Sequence, residues 1–346
     1  MDSKNATGIL ITHLPHIRWA CGFTGSNGFL IIREDGVHLV TDRRYETQAE
    51  LEVCGVEIHI GKHDLIDYAK QTGIVDSSDR LIIQPEYITI SELNHWKATV
   101  SGISQLSIEN LLNKLIALKS GEEIAGMRKV QTVSDIVFKE ILQYIQEGIR
   151  ENELAAMIDY RHRMHGASGM AFDTIVAFGS NSALPHARPT DRKLCLGDSI
   201  LLDFGCMVNG FSSDMTRTLC YGAPDAEFFD AYSSVQEAQE NAFNITCAEV
   251  RASDVDYAAR ASLAEKGYGD FFSHSTGHGI GLEVHEWPRI SENSDAVLLR
   301  GYTITIEPGI YLPGKFGIRI EDTVLIESHK CERLSSIDQD LILIGS

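Results

Sequence analysis

The N-terminal third of the chain alternates short apolar runs with polar segments, which is typical of strands joined by turns and short helices. The run VEIHI also alternates apolar with polar residues, as a half-buried strand does. A helical piece is predicted around Ser91–Thr99. The predicted strands are residues 8–14, 28–32, 38–42, 56–60, 81–90 and 101–108. Strands that alternate with short helices predict an α/β lobe that ends near Leu112.

Beyond this lobe, apolar residues recur at helical spacing over longer stretches. Ser120 and Glu123 match a capping box at the start of the first long helix, and Gly148 is its predicted end. A second helix is predicted over 152–165. The apolar strand DTIVAFG and a hairpin follow it.

The same order of elements is then predicted again. One helix spans about 226–247, and another starts after the N-cap Asp254 and ends at Gly267. A strand and a second hairpin follow. The repeat of helix, helix, strand and hairpin predicts a pseudo-twofold α+β domain. The predicted division is an N-terminal lobe over 1–112, a linker over 113–120 and the pseudo-twofold domain over 121–346.

The two hairpins carry acids at matching places. In GDSILLDFGCMVNGFSSDMTRT, a short apolar run leads to Asp203, and the return strand carries Asp214. In GYTITIEPGIYLPGKFGIRIED, which begins 104 residues later, Glu307 and Glu321 take the same places. Four carboxylates that face one another repel unless a cation lies between them. We therefore predict a binding site for divalent metal.

Composition and charge narrow the classes of partner. The length of 346 residues predicts two domains, and the net charge of −19 disfavours nucleic acid or an anionic membrane as a partner. No apolar run approaches the roughly 20 residues of a membrane span, and no secretory signal is visible. The seven cysteines, none spaced CxxC, predict reduced thiols in a cytoplasmic protein.

Histidines lie beside the second hairpin in the segment HSTGHGIGLEVHEWP. It carries His274, His278 and His285, and its glycines let the backbone pass close to whatever His278 faces. One imidazole with four carboxylates favours Mn²⁺, Co²⁺ or Zn²⁺ over Mg²⁺ or Ca²⁺. Four carboxylates are more than one ion needs, so they indicate a site for two ions. A two-ion site activates water and polarises a carbonyl, as amide hydrolysis requires. His186 lies in the stiff segment SNSALPHARPT.

Over almost its whole length, the chain resembles the pita-bread-fold metallopeptidases, which include prolidase, aminopeptidase P and methionine aminopeptidase. The motifs that carry the resemblance are LDFG, SSDMTRT, TGHGIG, IEPGIY and RIEDT. It implies an α+β fold, in which a pseudo-twofold, creatinase/aminopeptidase-like catalytic domain follows a smaller α/β lobe. It also implies five metal ligands, which are Asp203, Asp214, His278, Glu307 and Glu321.

The family pattern also implies roles for the residues around the metals. Asp214 and Glu321 are expected to bridge two ions, which we expect to be Mn²⁺, with Co²⁺ or Zn²⁺ as alternatives. Glu307 or a nearby histidine is expected to pass a proton to the leaving nitrogen. Arg319 is expected either to clamp a substrate carboxylate or to orient Glu321. The remaining expected roles are contact with the substrate and the tetrahedral intermediate for His186 and His285, substrate contact for Tyr311, and proton relay for His274.

The N-terminal lobe resembles that of aminopeptidase P and prolidase in IRWACGFTGSNG and VTDRRYETQAE, whereas methionine aminopeptidases generally lack the lobe. The resemblance implies a homodimeric Xaa-Pro aminopeptidase that acts on proline-containing peptides, with a strict Xaa-Pro dipeptidase as the alternative. Two further hypotheses use the same fold. They are a non-catalytic binding module and a metal-free creatine hydrolase, and the intact set of ligands argues against both.

Overall fold

The computed structural model describes residues 6–100, 102–104 and 109–345. The chain forms two compact units, Met1–Ile116 and Ala117–Ser346. The helix that ends the first unit reaches Ala117, so the predicted boundary at Leu112 falls inside a helix and the predicted linker begins on it. No helix in the described ranges is both long and apolar enough to cross a bilayer.

The first unit is built on a six-stranded mixed sheet. Its strands are β1 Gly8–Ile11, β2 Phe29–Arg33, β3 Gly36–Asp42, β4 Glu57–Gly61, β5 Arg80–Ile83 and β6 Gly102–Ser104, and its helices are α1 Leu14–Cys21, α2 Glu46–Glu52, α3 Leu65–Gln71, α4 Ile90–Thr99 and α5 Glu109–Ala117. The strand order is β4-β3-β2-β1-β5-β6. Alternate residues of each central strand fill two apolar clusters, one on each face of the sheet. The predicted α/β lobe is thereby confirmed.

The predicted strand over 81–90 is wrong beyond Ile83. Pro85 opens a short 3₁₀ turn, because a proline has no N–H to continue a strand ladder. Thr89 and Glu92 then form a capping box that starts α4. The predicted strand over 101–108 coincides with β6 at residues 102–104, and its other positions lie outside the described residues.

The second unit contains two helix pairs, α6 Gly121–Ile141 with α7 Glu151–Met164, and α8 Ala226–Ile245 with α9 Ala252–Glu265. The capping box of Ser120 and Glu123 is confirmed. The first helix ends at Ile141, before Gly148, because the chain tightens into a 3₁₀ turn. Asp254 lies inside the first turn of α9. The N-cap is Arg251, which is held extended by a β-bridge to Val297.

The strands of the second unit form two main sheets and two small ones. The strands are β7 Gly169–Met170, β8 Ile175–Phe178, β9 Ser199–Phe204, β10 Cys206–Val208, β11 Phe211–Ser212, β12 Met215–Tyr221, β13 Gly277–Gly279, β14 Glu286–Ile290, β15 Thr303–Ile306, β16 Gly309–Leu312, β17 Phe316–Arg319, β18 Asp322–Ile326, β19 Cys331–Arg333 and β20 Leu343–Ile344. The main sheets have the orders β20-β12-β9-β8 and β14-β13-β15-β18-β19. The small sheets are β11-β10-β7 and β16-β17.

Each helix pair packs against one main sheet and encloses an apolar cluster. Residues of α6 and α7 meet those of β8 and β9 in one cluster, and residues of α8 and α9 meet those of β15 and β18 in the other. Both halves therefore have the order helix, helix, strands and hairpin, and the predicted pseudo-twofold α+β fold is confirmed.

Candidate metal centre

The two acid-bearing hairpins form as predicted and are joined through their return strands. Antiparallel pairing of β9 with β12 places Asp203 opposite Thr216. Thr216 in turn connects the hairpins, because its hydroxyl donates to Glu321 Oε2 at 2.7 Å and its carbonyl accepts from the Glu321 N–H at 3.1 Å. Arg217 adds a bond from Nη1 to the Glu321 carbonyl at 2.6 Å. These contacts hold the carboxylates of both hairpins close together.

Five side chains converge on one cavity of about 610 Å³. His278 Nε2 lies 3.6 Å from Asp214 Oδ2 and 3.5 Å from Glu307 Oε1. One ligand atom each of Asp214, His278 and Glu321 lie within 4.8 Å of one another. Asp203 lines the same cavity. The structure therefore brings together all five residues that we predict to be metal ligands.

The electrostatics of this cluster favour a cation. Burial first, and neighbouring carboxylates second, raise the pKa values of Asp214 and Glu321 well above their usual range. Burial also raises the pKa of Glu307 to about 8, against the opposing effect of Arg319. Asp203 Oδ1 is buried and has no hydrogen-bond partner within the described chain. Negative charge here is compensated only in part by the protein itself.

His278 is oriented to act as a neutral ligand. Its Nδ1 donates to the Gly279 carbonyl at 3.0 Å, which leaves the Nε2 lone pair facing Asp214 and Glu307. Burial lowers its pKa to about 4, so the imidazole is uncharged at neutral pH. A lone pair that faces carboxylates is unfavourable unless a cation lies between them. The oxygen-rich donor set with one imidazole therefore fits divalent metal ions.

Arg319 joins the metal-ligand candidate Asp203 to Tyr311 and Thr216. Its guanidinium, which is buried, bonds to Asp203 Oδ2 and donates to the Tyr311 hydroxyl at 2.6 Å and to Thr216 Oγ1 at 3.1 Å. Since Thr216 donates to Glu321, these contacts favour the orienting role for Arg319 over a clamp on substrate.

Tyr311 and His274 are engaged with the protein rather than free. The Tyr311 hydroxyl donates to His274 Nε2 at 2.8 Å, while His274 Nδ1 donates to the Ser275 carbonyl at 2.8 Å. Burial lowers the pKa of His274 to about 4 and raises that of Tyr311 to about 12. Among the described residues, His274 lines the cavity and Tyr311 does not. Direct contact of Tyr311 with substrate therefore gains no support from the geometry.

His186 and His285 are exposed on the wall of the cavity. The His285 ring meets the His278 ring edge-to-face, with centroids 4.5 Å apart. Burial lowers the pKa of His285, although Asp203 opposes this. Both histidines therefore lie where a molecule in the cavity would touch them, and their assignment to substrate contact stays a prediction.

Two arginines that were not predicted from the sequence also line this cavity, Arg188 and Arg289. Both are exposed, and within the described residues neither guanidinium has a hydrogen bond or ion pair. Their only signal in the sequence is proximity, since Arg188 follows His186 by two residues and Arg289 follows His285 by four.

Helix α9 holds the histidine segment in place through hydrogen bonds that were not predicted from the sequence. Asp256 accepts bonds from the Thr276 N–H at 3.1 Å and the Thr276 hydroxyl at 2.8 Å. Arg260, one helical turn further on, pairs with Asp256 and donates to the His274 carbonyl at 2.9 Å. The spacing of four between an acid and an arginine on a predicted helix was the available signal.

The glycines of TGHGIG have a different role from the one predicted. A Cβ at Gly277 would lie 2.0 Å from the Thr305 carbonyl oxygen, and one at Gly279 would lie 2.3 Å from that of Trp287. These glycines allow close approach of the neighbouring strands β15 and β14, not approach to whatever His278 faces.

Known proteins are similar to this chain in both sequence and fold. The model of metallopeptidase family M24 matches residues 125–328, and that of the creatinase/prolidase N-terminal domain matches residues 1–115. A Xaa-Pro dipeptidase of Pyrococcus furiosus is 43% identical over 343 residues, which cover 99% of this chain and 97% of the relative.

Solved structures named as an X-Pro aminopeptidase and as a Xaa-Pro dipeptidase are both similar to the chain. An X-Pro aminopeptidase from Thermotoga maritima has a TM-score of 0.90 at 36% identity and covers 98% of each chain. A Xaa-Pro dipeptidase from Bacillus anthracis has a TM-score of 0.93 at 34% identity, over 98% of this chain and 95% of the other.

Proposed function

Since the chain belongs to metallopeptidase family M24, we propose that it is a dinuclear Xaa-Pro dipeptidase, a prolidase, that binds Mn²⁺. The observation that carries this proposal is a single cavity lined by five candidate metal ligands, three further histidines and two unpaired arginines. Relatives named Xaa-Pro dipeptidase favour this alternative over the Xaa-Pro aminopeptidase that we expected from the motifs.

Asp203, Asp214, His278, Glu307 and Glu321 would hold the two ions. When bound, the ions lower the pKa of water and polarise the scissile carbonyl. His186 and His285 are placed on the cavity wall to orient the substrate and to donate to the carbonyl oxygen as it gains charge. Glu307 or a nearby histidine is assigned the transfer of a proton from the attacking water to the leaving proline nitrogen.

The proposed preference for dipeptides rests on the two arginines. The bond before proline is a tertiary amide with no N–H, so the substrate must be held by other groups. A dipeptide carries its carboxylate on the proline itself. Arg188 and Arg289 present free guanidinium groups to the cavity, and such groups bind carboxylates in a bidentate manner. A longer peptide lacks a carboxylate at this point.

A comparison of Ala-Pro with Ala-Pro-Ala in the presence of Mn²⁺ tests the proposal. We expect kcat/KM to be at least about tenfold higher for the dipeptide, because a charge-assisted hydrogen bond contributes about 1.5–3 kcal/mol. Arg289→Ala should raise KM for Ala-Pro about tenfold or more, whereas the amide Ala-Pro-NH₂ should be indifferent to this substitution. Faster cleavage of the tripeptide would instead support the aminopeptidase.

The Xaa-Pro aminopeptidase remains the second candidate, because the similar structure from Thermotoga maritima carries that name. The non-catalytic module and the creatine hydrolase have less support, since all five candidate ligands are present in one cavity. Metal analysis after dialysis against Mn²⁺ separates them, because a protein of either kind should retain no stoichiometric metal at this site.

Two further parts of the proposal concern the whole protein. We assign it to the cytoplasm, where reduced thiols persist, because its seven cysteines are all free. We also assign a homodimer, as the family resemblance implies. Sedimentation of the purified chain tests the second assignment, and a monomer across the micromolar range would exclude it.

A further inference from the structure

Two imidazoles and a carboxylate come together on the sheet of the N-terminal unit. They lie on β3 and on its neighbour β4, which is an edge strand. The two strands are parallel, and their register places His38 opposite Glu57 and Val40 opposite His59. Side chains two residues apart on a strand share a face, so His38, Glu57 and His59 project from the same side of the sheet.

The ligand atoms of these three residues are separated as they would be around one metal ion. His38 Nδ1 lies 3.1 Å from His59 Nε2 and 3.4 Å from Glu57 Oε2, and His59 Nε2 lies 3.7 Å from Glu57 Oε1. In a tetrahedral zinc site with bonds of about 2.0–2.2 Å, ligand atoms are about 3.3–3.6 Å apart. The observed separations bracket this value, so the side chains need little movement to bind an ion.

Asp35 completes a second layer around the cluster. If His38 Nδ1 and His59 Nε2 both present lone pairs to an ion, the proton of His38 must lie on Nε2. Asp35 Oδ1 is 4.0 Å from that nitrogen and 3.6 Å from Arg33 Nε, and the Asp35 side chain is 74% exposed. Histidines that bind metal commonly donate their other N–H to a carboxylate in this way.

Burial and charge favour binding at neutral pH. The side chains of His38 and His59 are only 15% and 17% exposed, which fixes their rings, whereas Glu57 is 65% exposed and leaves a path from solvent. Burial lowers the pKa of His59, and His38 lowers it further against the opposing effect of Glu57. A neutral imidazole is the form that binds metal.

We propose that His38, Glu57 and His59 bind a divalent transition-metal ion of the Zn²⁺ class. A water molecule would fill the fourth position, since the protein offers three ligands. Such an ion would tie the edge strand β4 to β3. The site is independent of the catalytic proposal, because none of its residues belongs to the cavity of the second unit.

The test counts ions by difference in the full-length protein. The chain is stripped with a chelator, dialysed against micromolar Zn²⁺ and analysed for metal by mass spectrometry. We expect the wild-type chain to hold one Zn²⁺ more than His38→Ala or His59→Ala, whatever the content of the catalytic centre. Glu57→Gln, a change at an exposed side chain that should leave the fold intact, should weaken Zn²⁺ binding at this site at least about tenfold.

His95→Ala is the matched control, because His95 also lies beside two acids of this unit, Asp64 and Asp67. We expect it to keep the wild-type metal content. Zn²⁺ should also protect His38 and His59, but not His95, from diethylpyrocarbonate. Equal Zn²⁺ content in the wild type and both histidine variants, or a loss on His95→Ala instead, would overturn the proposal.

Discussion

At the residue scale, the hydroxyl of Tyr311 couples the buried guanidinium of Arg319 to His274. Tyr311→Phe removes both hydrogen bonds and leaves an Arg319 N–H without that partner. An unsatisfied buried donor costs about 1–3 kcal/mol. Because Arg319 also bonds Asp203, we expect kcat for Ala-Pro to fall about tenfold, while KM changes less and the metal content is unchanged.

Tyr302→Phe provides the control for this prediction. Tyr302 is buried in the core of the same unit, and its hydroxyl has no hydrogen bond within the described residues. Its removal should leave kcat within about twofold and stability within about 0.5 kcal/mol. If Tyr311→Phe also keeps full kcat, the hydrogen bonds from Arg319 through Tyr311 to His274 do not contribute to turnover.

The candidate ligands could be predicted one residue at a time, whereas the arginines could not. Asp203 stands at the end of an apolar run, where a carboxylate is costly unless a cation meets it. Arg188 and Arg289 carry no such signal, because exposed arginines are common on every protein surface. Only the fold shows that these two face the cavity.

At the scale of elements, a buried ion pair holds the loop that carries His285. Lys119 Nζ lies 2.6 Å from Glu286 Oε2, and the two side chains are 2% and 7% exposed. Glu286 Oε1 also accepts from the backbone N–H groups of Leu282 at 2.7 Å and Glu283 at 3.2 Å. The loop before His285 therefore folds around this carboxylate.

Lys119→Met should disorganise that loop, because it leaves Glu286 buried with its charge unpaired. Breaking one partner of a buried pair costs about 3–5 kcal/mol. We expect a lower free energy of unfolding in urea and a fall in kcat for Ala-Pro. Adding Glu286→Gln should recover much of both, since the amide oxygen can still accept from Leu282 and Glu283 without a charge.

An exposed pair of the same unit supplies the control for the Lys119 prediction. Arg300 is 70% exposed and lies 3.0 Å from Glu327, so Arg300→Met should change stability by less than about 1 kcal/mol. Should the double variant of Lys119 and Glu286 remain as impaired as Lys119→Met alone, the unpaired charge would not be the cause.

The bounds of helices and strands were predictable where residues close in sequence determine them. The capping box of Ser120 and Glu123 acts within one turn and was predicted from the sequence, as were both hairpins. The end of α6 at Ile141 was missed, because the apolar spacing continues beyond the point where the helix tightens. The pairing of Lys119 with Glu286 spans 167 residues and has no local signal.

At the scale of the whole molecule, the duplicated order of elements made the fold predictable. Helix, helix, strand and hairpin appear twice in the hydrophobic pattern, and each copy has its own sheet and apolar cluster. The sequence does not reveal how closely the two halves bring their acids together. That depends on contacts between return strands, such as Thr216 with Glu321, which no periodicity encodes.

This concentration of acids makes the stability of the metal-free protein depend on pH. Glu307 has a folded-state pKa of about 8, above its ordinary 4.5, and those of Asp214 and Glu321 are also raised. At a pH between the ordinary pKa and the raised pKa of such a carboxyl group, the folded state binds more protons than the unfolded state. Stability must therefore fall as pH rises, by up to about 1.4 kcal/mol per pH unit for each proton.

Urea unfolding of the chelator-stripped chain from pH 7 to 8 measures this effect above the ordinary histidine pKa of 6.5, where histidines with lowered pKa values, such as His278, are mostly neutral in both the folded and the unfolded state. We expect the midpoint to fall with pH, and Glu307→Gln to flatten the slope, because the amide does not titrate. With Mn²⁺ the trend should reverse, since metal binds the deprotonated carboxylates. A stripped chain whose stability stays level or rises over this range would contradict the raised pKa values, and with them the physical reason for expecting cations between the hairpins.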